Sequence, residues 1–161
     1  HSTRALDAAA LLAADTQSYL RVVVAWQRPE QSLWSSVFAQ RKGQPVGAGD
    51  ASEADGAAFP RAWHSSGSQA GLYDELVADL SRRAEQTAGW AIERVHARHP
   101  QLKVEQVVTE GRAAQAIVAA AADASMIAVG ARGHGDLKSL LLGSVSRRVM
   151  QRAECAVYVI R

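Results

Sequence analysis

The sequence has little of what would tie it to several large classes of protein. Its one cysteine, Cys155, excludes an internal disulfide framework and any zinc site built from several cysteines. No apolar run approaches the roughly 20 residues of a transmembrane helix, and the start of the chain has neither a signal-peptide core nor a lipidation motif. We therefore expect a soluble, cytoplasmic protein without a membrane partner.

The sequence also lacks a strong excess of either charge. Lys and Arg total 18 against 16 Asp and Glu, which leaves a formal net charge of +2. This balance is too even for a general nucleic-acid-binding surface, so no nucleic acid is expected as a partner. With 161 residues, 48% of them hydrophobic, the chain can bury one sizeable core. We expect a single domain over residues 1–161.

Hydrophobic spacing predicts an alternation of helices and strands. Such an alternation is typical of an α/β fold, an open parallel sheet with helices on both faces. Residues 27–70 interrupt the pattern with proline, glycine and serine, and we interpret them as a long loop or insertion. The predicted helices run from Thr3 to about Asp15, from Leu72 to about His99, from just after Gly111 to about Ala122 and from Ser144 to about Arg152, and the predicted strands run over Leu20–Trp26, Leu102–Thr109, Met126–Val129 and Ala156–Ile160.

A glycine-rich segment follows the third predicted strand. Open α/β sheets bind ligands at the carboxyl ends of their strands, and this segment begins at such an end with Gly130. Glycines let backbone amides approach a phosphate, and the helix that starts at Ser144 offers unpaired amides and a positive dipole end. The hydroxyls of Ser144 and Ser146 can add hydrogen bonds.

Local charge points the same way. Between Gly130 and Arg152 five basic residues accompany a single acid, Asp136, so the field favours an anion. The bases are Arg132, Lys138, Arg147, Arg148 and Arg152. A purely structural alternative stays open, in which the glycines serve only turn geometry and the arginines form a solvated helix face.

The spacing of the glycines resembles a known motif. Gly130, Gly133 and Gly143-Ser144 match G-x2-G-x9-G-[ST], the motif of the ATP-binding class of universal stress proteins. The sequence before the motif, 128–130, and the segments 140–146 and 155–160 resemble the same family. The resemblance covers most of the chain outside residues 27–70.

The resemblance implies a five-stranded parallel sheet in the order 3-2-1-4-5, a homodimer formed through the last strand, and ATP, with Mg²⁺ as its accompanying ion, at the point where the strand order reverses. It also implies roles for individual residues. Gly130, Arg132 and Gly133 would line the ribose and phosphates, Gly143, Ser144, Val145 and Ser146 would hold the phosphate chain, and Ala25 would meet adenine through its backbone.

One family element is missing. Family members begin with a strand that ends in an aspartate contacting the nucleotide, and no such strand precedes the first helix here. That strand would be the central one, and without it two pairs of strands would keep unpaired inner edges. We therefore expect that the chain starts inside the natural protein, or that the central position is filled in another way.

Three functions remain in competition. The first is a stress-response or regulatory module that binds an adenine nucleotide. The second is an enzyme with at most weak ATP hydrolysis, although no catalytic group is evident and Asp136 is the one nearby carboxylate. The third is an interaction protein of the same fold that binds no nucleotide.

Overall fold

The structure is a computed structural model that describes residues 2–30, 69–131 and 142–161. It divides into two compact units, His1–Gln27 with Leu80–Arg161, and Arg28–Asp79. Helices and strands alternate along the chain, as the hydrophobic pattern predicts. The elements are α1 (Ser2–Asp15), β1 (Leu20–Trp26), α2 (Gln69–His96), β2 (Val104–Glu110), α3 (Ala113–Ala120), β3 (Met126–Gly130), α4 (Ser144–Arg152) and β4 (Ala156–Ile160).

The strand predictions are confirmed with small shifts in boundary, since β2 ends at Glu110 and β3 at Gly130, each one residue later than predicted. β1 and β4 have the predicted bounds, whereas β2 begins at Val104 instead of Leu102. Leu102 is buried, but its amide donates to the carbonyl of His99 at 3.0 Å. It therefore belongs to the turn that follows α2, and its hydrophobicity reflects the core beneath that turn.

The described strands form two parallel pairs. β1 pairs with β2 from Leu20 opposite Val104 onward, and β3 pairs with β4 from Met126 opposite Ala156 onward. Each pair is a separate two-stranded sheet within the described residues. These are the two outer pairings of the predicted order, and the five-strand order itself stays a prediction.

The hydrogen bonds fix which way the backbone groups of β1 and β3 point. The Leu20 amide donates to Lys103 and the Trp26 carbonyl accepts from Gly111, so alternate residues of β1 face β2. Because successive backbone groups alternate in direction, those of Arg21, Val23 and Ala25 point to the opposite edge. On β3 the amide of Ala131 donates to Ile160, so the backbone groups of Met126, Ala128 and Gly130 point away from β4.

Two helices link the strand pairs. α1 contacts β1, β3 and β4, and α3 contacts β1, β2 and α4. One core cluster joins α1 to α2 and the start of β2, and the other lies between β3, α3 and α4. The buried members are Ala10, Ala13, Val95 and Leu102 in the first cluster and Ala114, Ile127, Val129 and Val149 in the second, where Cys155 packs at the margin.

Most of the predicted loop, residues 31–68, lies outside the described part of the chain. Its flanks meet within the second compact unit, since the hydroxyl of Tyr73 donates to the carbonyl of Pro29 at 2.7 Å. α2 begins at Gln69, just before the predicted end of the loop. None of the helices in the described ranges combines the length and the apolar character that crossing a membrane requires.

Candidate functional site

The two ends of the glycine motif lie next to each other. Gly130 is the last residue of β3, and Gly143 is the N-cap of α4. The amide of Gly143 donates to the carbonyl of Ala131 at 2.8 Å, and the amide of Ala131 donates to Ile160 on β4 at 2.6 Å. The strand end and the helix start are therefore joined by backbone hydrogen bonds. Arg132 and Gly133, which the sequence also assigns to the site, lie outside the described residues.

The start of α4 has free amides that can bind an anion. The first helical bond runs from the amide of Arg147 to the carbonyl of Gly143 at 3.0 Å, so the amides of Ser144, Val145 and Ser146 precede the ladder. Among the described residues no side chain caps this end, and the first turn of α4 has no acidic residue. The positive end of the helix dipole is thus uncompensated by the helix itself, which suits a phosphate group.

The two serines of this turn differ in environment. Ser144 is exposed, whereas Ser146 is only 4% exposed. The hydroxyl of Ser146 donates to the carbonyl of Gly130 at 2.6 Å. The sequence predicts that both hydroxyls contact the phosphate chain, but only the hydroxyl of Ser144 is exposed to solvent.

Ala25 lies near the carboxyl end of β1, opposite Thr109. Its backbone amide and carbonyl point away from β2, as derived above from the hydrogen bonds of Leu20 and Trp26. They are therefore not used in the β1–β2 pair. This direction is compatible with the predicted contact between the Ala25 backbone and an adenine ring.

Three exposed arginines lie on α4. Arg147 and Arg148 follow the first turn, and Arg152 ends the helix. Lys138 and Asp136 lie outside the described residues. Within the ranges that the structure describes, no three His, Cys, Asp or Glu side chains are grouped so that they could hold a metal ion.

A polar network at the amino ends of the strands escaped the sequence reasoning. Arg21 on β1 donates to both carboxylate oxygens of Asp123, at 2.6 and 3.1 Å, and to the carbonyl of Ala120 at 2.6 Å. It also donates to Glu105 on β2 at 3.1 Å. The hydrogen bond from Arg21, with a second from Tyr19, lowers the pKa of Asp123 to about 2. The signal for this network was an arginine inside an apolar strand.

An open apolar cleft of about 480 Å³ lies between α1 and the strands β3 and β4. It includes Met126 and Ala156, the first residues of those strands, so it is not at the carboxyl edge where Gly130 stands. This α1–β4 cleft is therefore distinct from the glycine site. Its other lining residues are Ala8, Leu11, Leu12, Asp15, Val157 and Tyr158.

A family model described as "Universal stress protein family" matches residues 1–161. Universal stress protein Rv2005c of Mycobacterium tuberculosis is 40% identical over 84 residues, covering 52% of this chain and 26% of that protein. A universal stress protein of Mycolicibacterium smegmatis is 38% identical over 78 residues, covering 48% of this chain and 25% of that protein. The matched part thus spans about a quarter of the length of these relatives.

Solved structures share the fold at low sequence identity. UspA of Lactobacillus plantarum superposes with a TM-score of 0.64 at 17% identity, covering 98% of this chain and 88% of that one. A universal stress protein solved in complex with cAMP superposes with a TM-score of 0.58 at 19% identity, covering 99% of this chain and 88% of that one.

Proposed function

Because the chain belongs to the universal stress protein family, we propose that it is a stress-response or regulatory module that binds an adenine nucleotide such as ATP at the carboxyl ends of β1 and β3. The hydrogen bond from Gly143 to Ala131 carries this proposal. It brings the last glycine of the motif beside the strand end that bears the first glycine. A neighbour solved with cAMP supports the adenine class of ligand.

The residues at the start of α4 fit a phosphate chain. The amides of Ser144, Val145 and Ser146 and the hydroxyl of Ser144 are hydrogen-bond donors, and a phosphate offers only acceptors. Gly130, Arg132 and Gly133 would continue the cradle toward the ribose, and the Ala25 backbone would receive adenine. Mg²⁺ would accompany the nucleotide on its phosphate oxygens.

The proposed site also requires one continuous sheet. The backbone groups of Ala25 and Gly130 point to edges that neither strand pair uses. A fifth strand between β1 and β3 would pair with both edges and give the order 3-2-1-4-5, numbered with that central strand as the first. The helices α1 and α3, which link the two pairs, would cover its two faces.

We further propose that two copies associate through β4 in the cytoplasm. Tyr158 on this strand is 52% exposed, and Met126 and Leu11 beside it are 40% and 54% exposed. β4 pairs only with β3 among the described strands. An apolar strand edge of this kind is a template for pairing with a second chain.

The test of nucleotide binding uses a Gly143→Asp variant. The backbone of Gly143, at φ −59° and ψ 153°, suits an aspartate, and an aspartate at an N-cap stabilises a helix. The variant should therefore fold, yet its carboxylate would occupy the helix start and repel phosphate. We expect ATP affinity, measured by isothermal titration calorimetry, to fall about tenfold or more.

The matched control is Gln151→Glu, which adds the same charge to the exposed last turn of α4. It should keep ATP affinity within about twofold of the original, since dipole and charge effects fade beyond the first turn. No ATP binding by the unaltered protein would favour the interaction protein without a ligand. Steady release of phosphate would favour the hydrolase.

A further inference from the structure

The hydroxyl of Ser146 is committed to the protein itself. Ser146 is 4% exposed, and its Oγ lies 2.6 Å from the carbonyl oxygen of Gly130. A serine hydroxyl has one proton to donate. That proton points at Gly130, so it is not available for a phosphate oxygen, which can only accept.

The carbonyl of Gly130 accepts this hydrogen bond outside the ladder between β3 and β4. The amide of Ala131 donates to Ile160, so the backbone of Gly130, one position earlier, points away from β4. The β3–β4 pair therefore leaves the Gly130 carbonyl without a ladder bond. Gly130 is partly buried, and the hydroxyl of Ser146 is the donor that reaches its carbonyl.

Two ties thus join the end of β3 to the first turn of α4. One runs from the Ser146 hydroxyl to Gly130, and the other runs from the Gly143 amide to Ala131. Val149, 0% exposed and one turn after Ser146, packs against Ile127 and Val129 of the same strand. The ties and this packing hold the amides of the helix start at a fixed place relative to β3.

We propose that Ser146 is a positioning residue, which acts on the phosphate through Gly130 and the first turn of α4, and that the exposed hydroxyl of Ser144 is the one that contacts phosphate. The inference rests on the proposed nucleotide site and deepens it. It separates two serines that have the same side chain, lie two positions apart and would both be given to the phosphate from sequence.

The experiment compares Ser146→Ala with Ser144→Ala by amide hydrogen exchange without ligand and by the affinities for ATP and adenosine. Ser146→Ala should speed exchange at the Gly143 amide about tenfold, because the turn loses one of its two ties. ATP affinity should fall about tenfold while adenosine affinity stays within about twofold, since only the phosphate cradle is displaced. Ser146→Thr, which keeps the hydroxyl, should restore slow exchange.

Ser144→Ala should leave hydrogen exchange at the Gly143 amide unchanged. It should still lower the affinity for ATP by about three- to tenfold. Exchange in Ser146→Ala within about twofold of the original would overturn the positioning role, whatever the ATP affinity. Faster exchange with unchanged ATP affinity would overturn it too. Failure of the unaltered protein to bind ATP would instead overturn the proposed function. Faster exchange in Ser146→Ala would then mean that the hydrogen bond from Ser146 to Gly130 stabilises the fold but has no role in binding a nucleotide.

Discussion

Arg21 Nη1 lies 2.6 Å from Oδ1 of Asp123, and this pair ties β1 to the segment that leads into β3. The side chain of Arg21 is 23% exposed, and its guanidinium also meets the carboxylate of Glu105 on β2. One side chain therefore connects the β1–β2 pair to the segment that leads into β3, at the amino ends of the strands and opposite the edge where Gly130 stands.

The stability that Asp123 contributes should depend on pH. Its pKa is lowered from 3.8 to about 2, first by the hydrogen bond from Arg21 and then by that from Tyr19. The ionised carboxylate is therefore favoured in the folded state, so its contribution is complete above the unfolded pKa and is lost as pH falls toward 2. Urea unfolding should find Asp123→Asn less stable than the original at pH 7, with the gap closing below about pH 4.

The control for this pH dependence is Glu154→Gln, at an exposed position that makes no ion pair in the described part of the chain. At pH 7 the free energy of unfolding of Glu154→Gln should differ much less from that of the original protein than does that of Asp123→Asn. A difference for Asp123→Asn that stays constant down to pH 2 would contradict the ion pair with Arg21.

Truncation of Val149 should destabilise the second core cluster. Its side chain is fully buried among Ala114, Ile127 and Val129. Val149→Ala should cost about 2 kcal/mol, from lost burial and the cavity left behind. Val145→Ala on the same helix, at a site 37% exposed, should cost less than about 0.5 kcal/mol. Equal losses in chemical unfolding would mean that α4 does not pack on β3 as described.

Two glycines should respond to alanine in opposite directions. Gly111 has φ +144°, a conformation that side chains rarely adopt, although a Cβ there would meet nothing within 4 Å. Gly111→Ala should therefore lose about 1 to 2 kcal/mol from backbone strain alone. Gly89 lies inside α2 with equal space, so Gly89→Ala should gain about 0.5 to 1 kcal/mol. The melting temperature should fall for Gly111→Ala and rise for Gly89→Ala. Shifts of the same sign would mean that one of the two backbone conformations is wrong.

Association through β4 can be tested at Tyr158. A charged side chain on an exposed apolar strand opposes pairing between copies. Sedimentation of Tyr158→Lys should therefore find a monomer where the original forms a dimer. Arg161→Lys, which keeps the charge of the exposed last residue, should leave the dimer intact. A dimer that survives Tyr158→Lys would place the interface elsewhere.

The helices and strands were predictable because the spacing of hydrophobic residues along the sequence reflects them. Continuous apolar runs gave β1 and β4 their observed bounds, and proline after α2 marked a real end. The glycine spacing also predicted that Gly130 and Gly143 belong together, and the hydrogen bond between Ala131 and Gly143 agrees with this.

What sequence could not give is the direction of individual polar groups. Ser144 and Ser146 are equivalent in a motif, and only the packing of α4 on β3 decides that one hydroxyl is exposed and the other buried. Tyr73 likewise is buried and its hydroxyl donates to the carbonyl of Pro29, a contact that the spacing within α2 alone does not predict. Such choices depend on contacts between distant segments, for which a local pattern carries no information.

The backbone direction of Ala25 has a consequence for how sequences of this kind can diverge. Its amide and carbonyl, rather than its methyl group, point to the edge of β1 that faces away from β2. Any small residue at position 25 would present the same two groups, so selection for a contact made there would leave little trace in residue identity. Comparison of aligned sequences would then underestimate the functional importance of position 25, and the geometry of the strand would be the better guide to it.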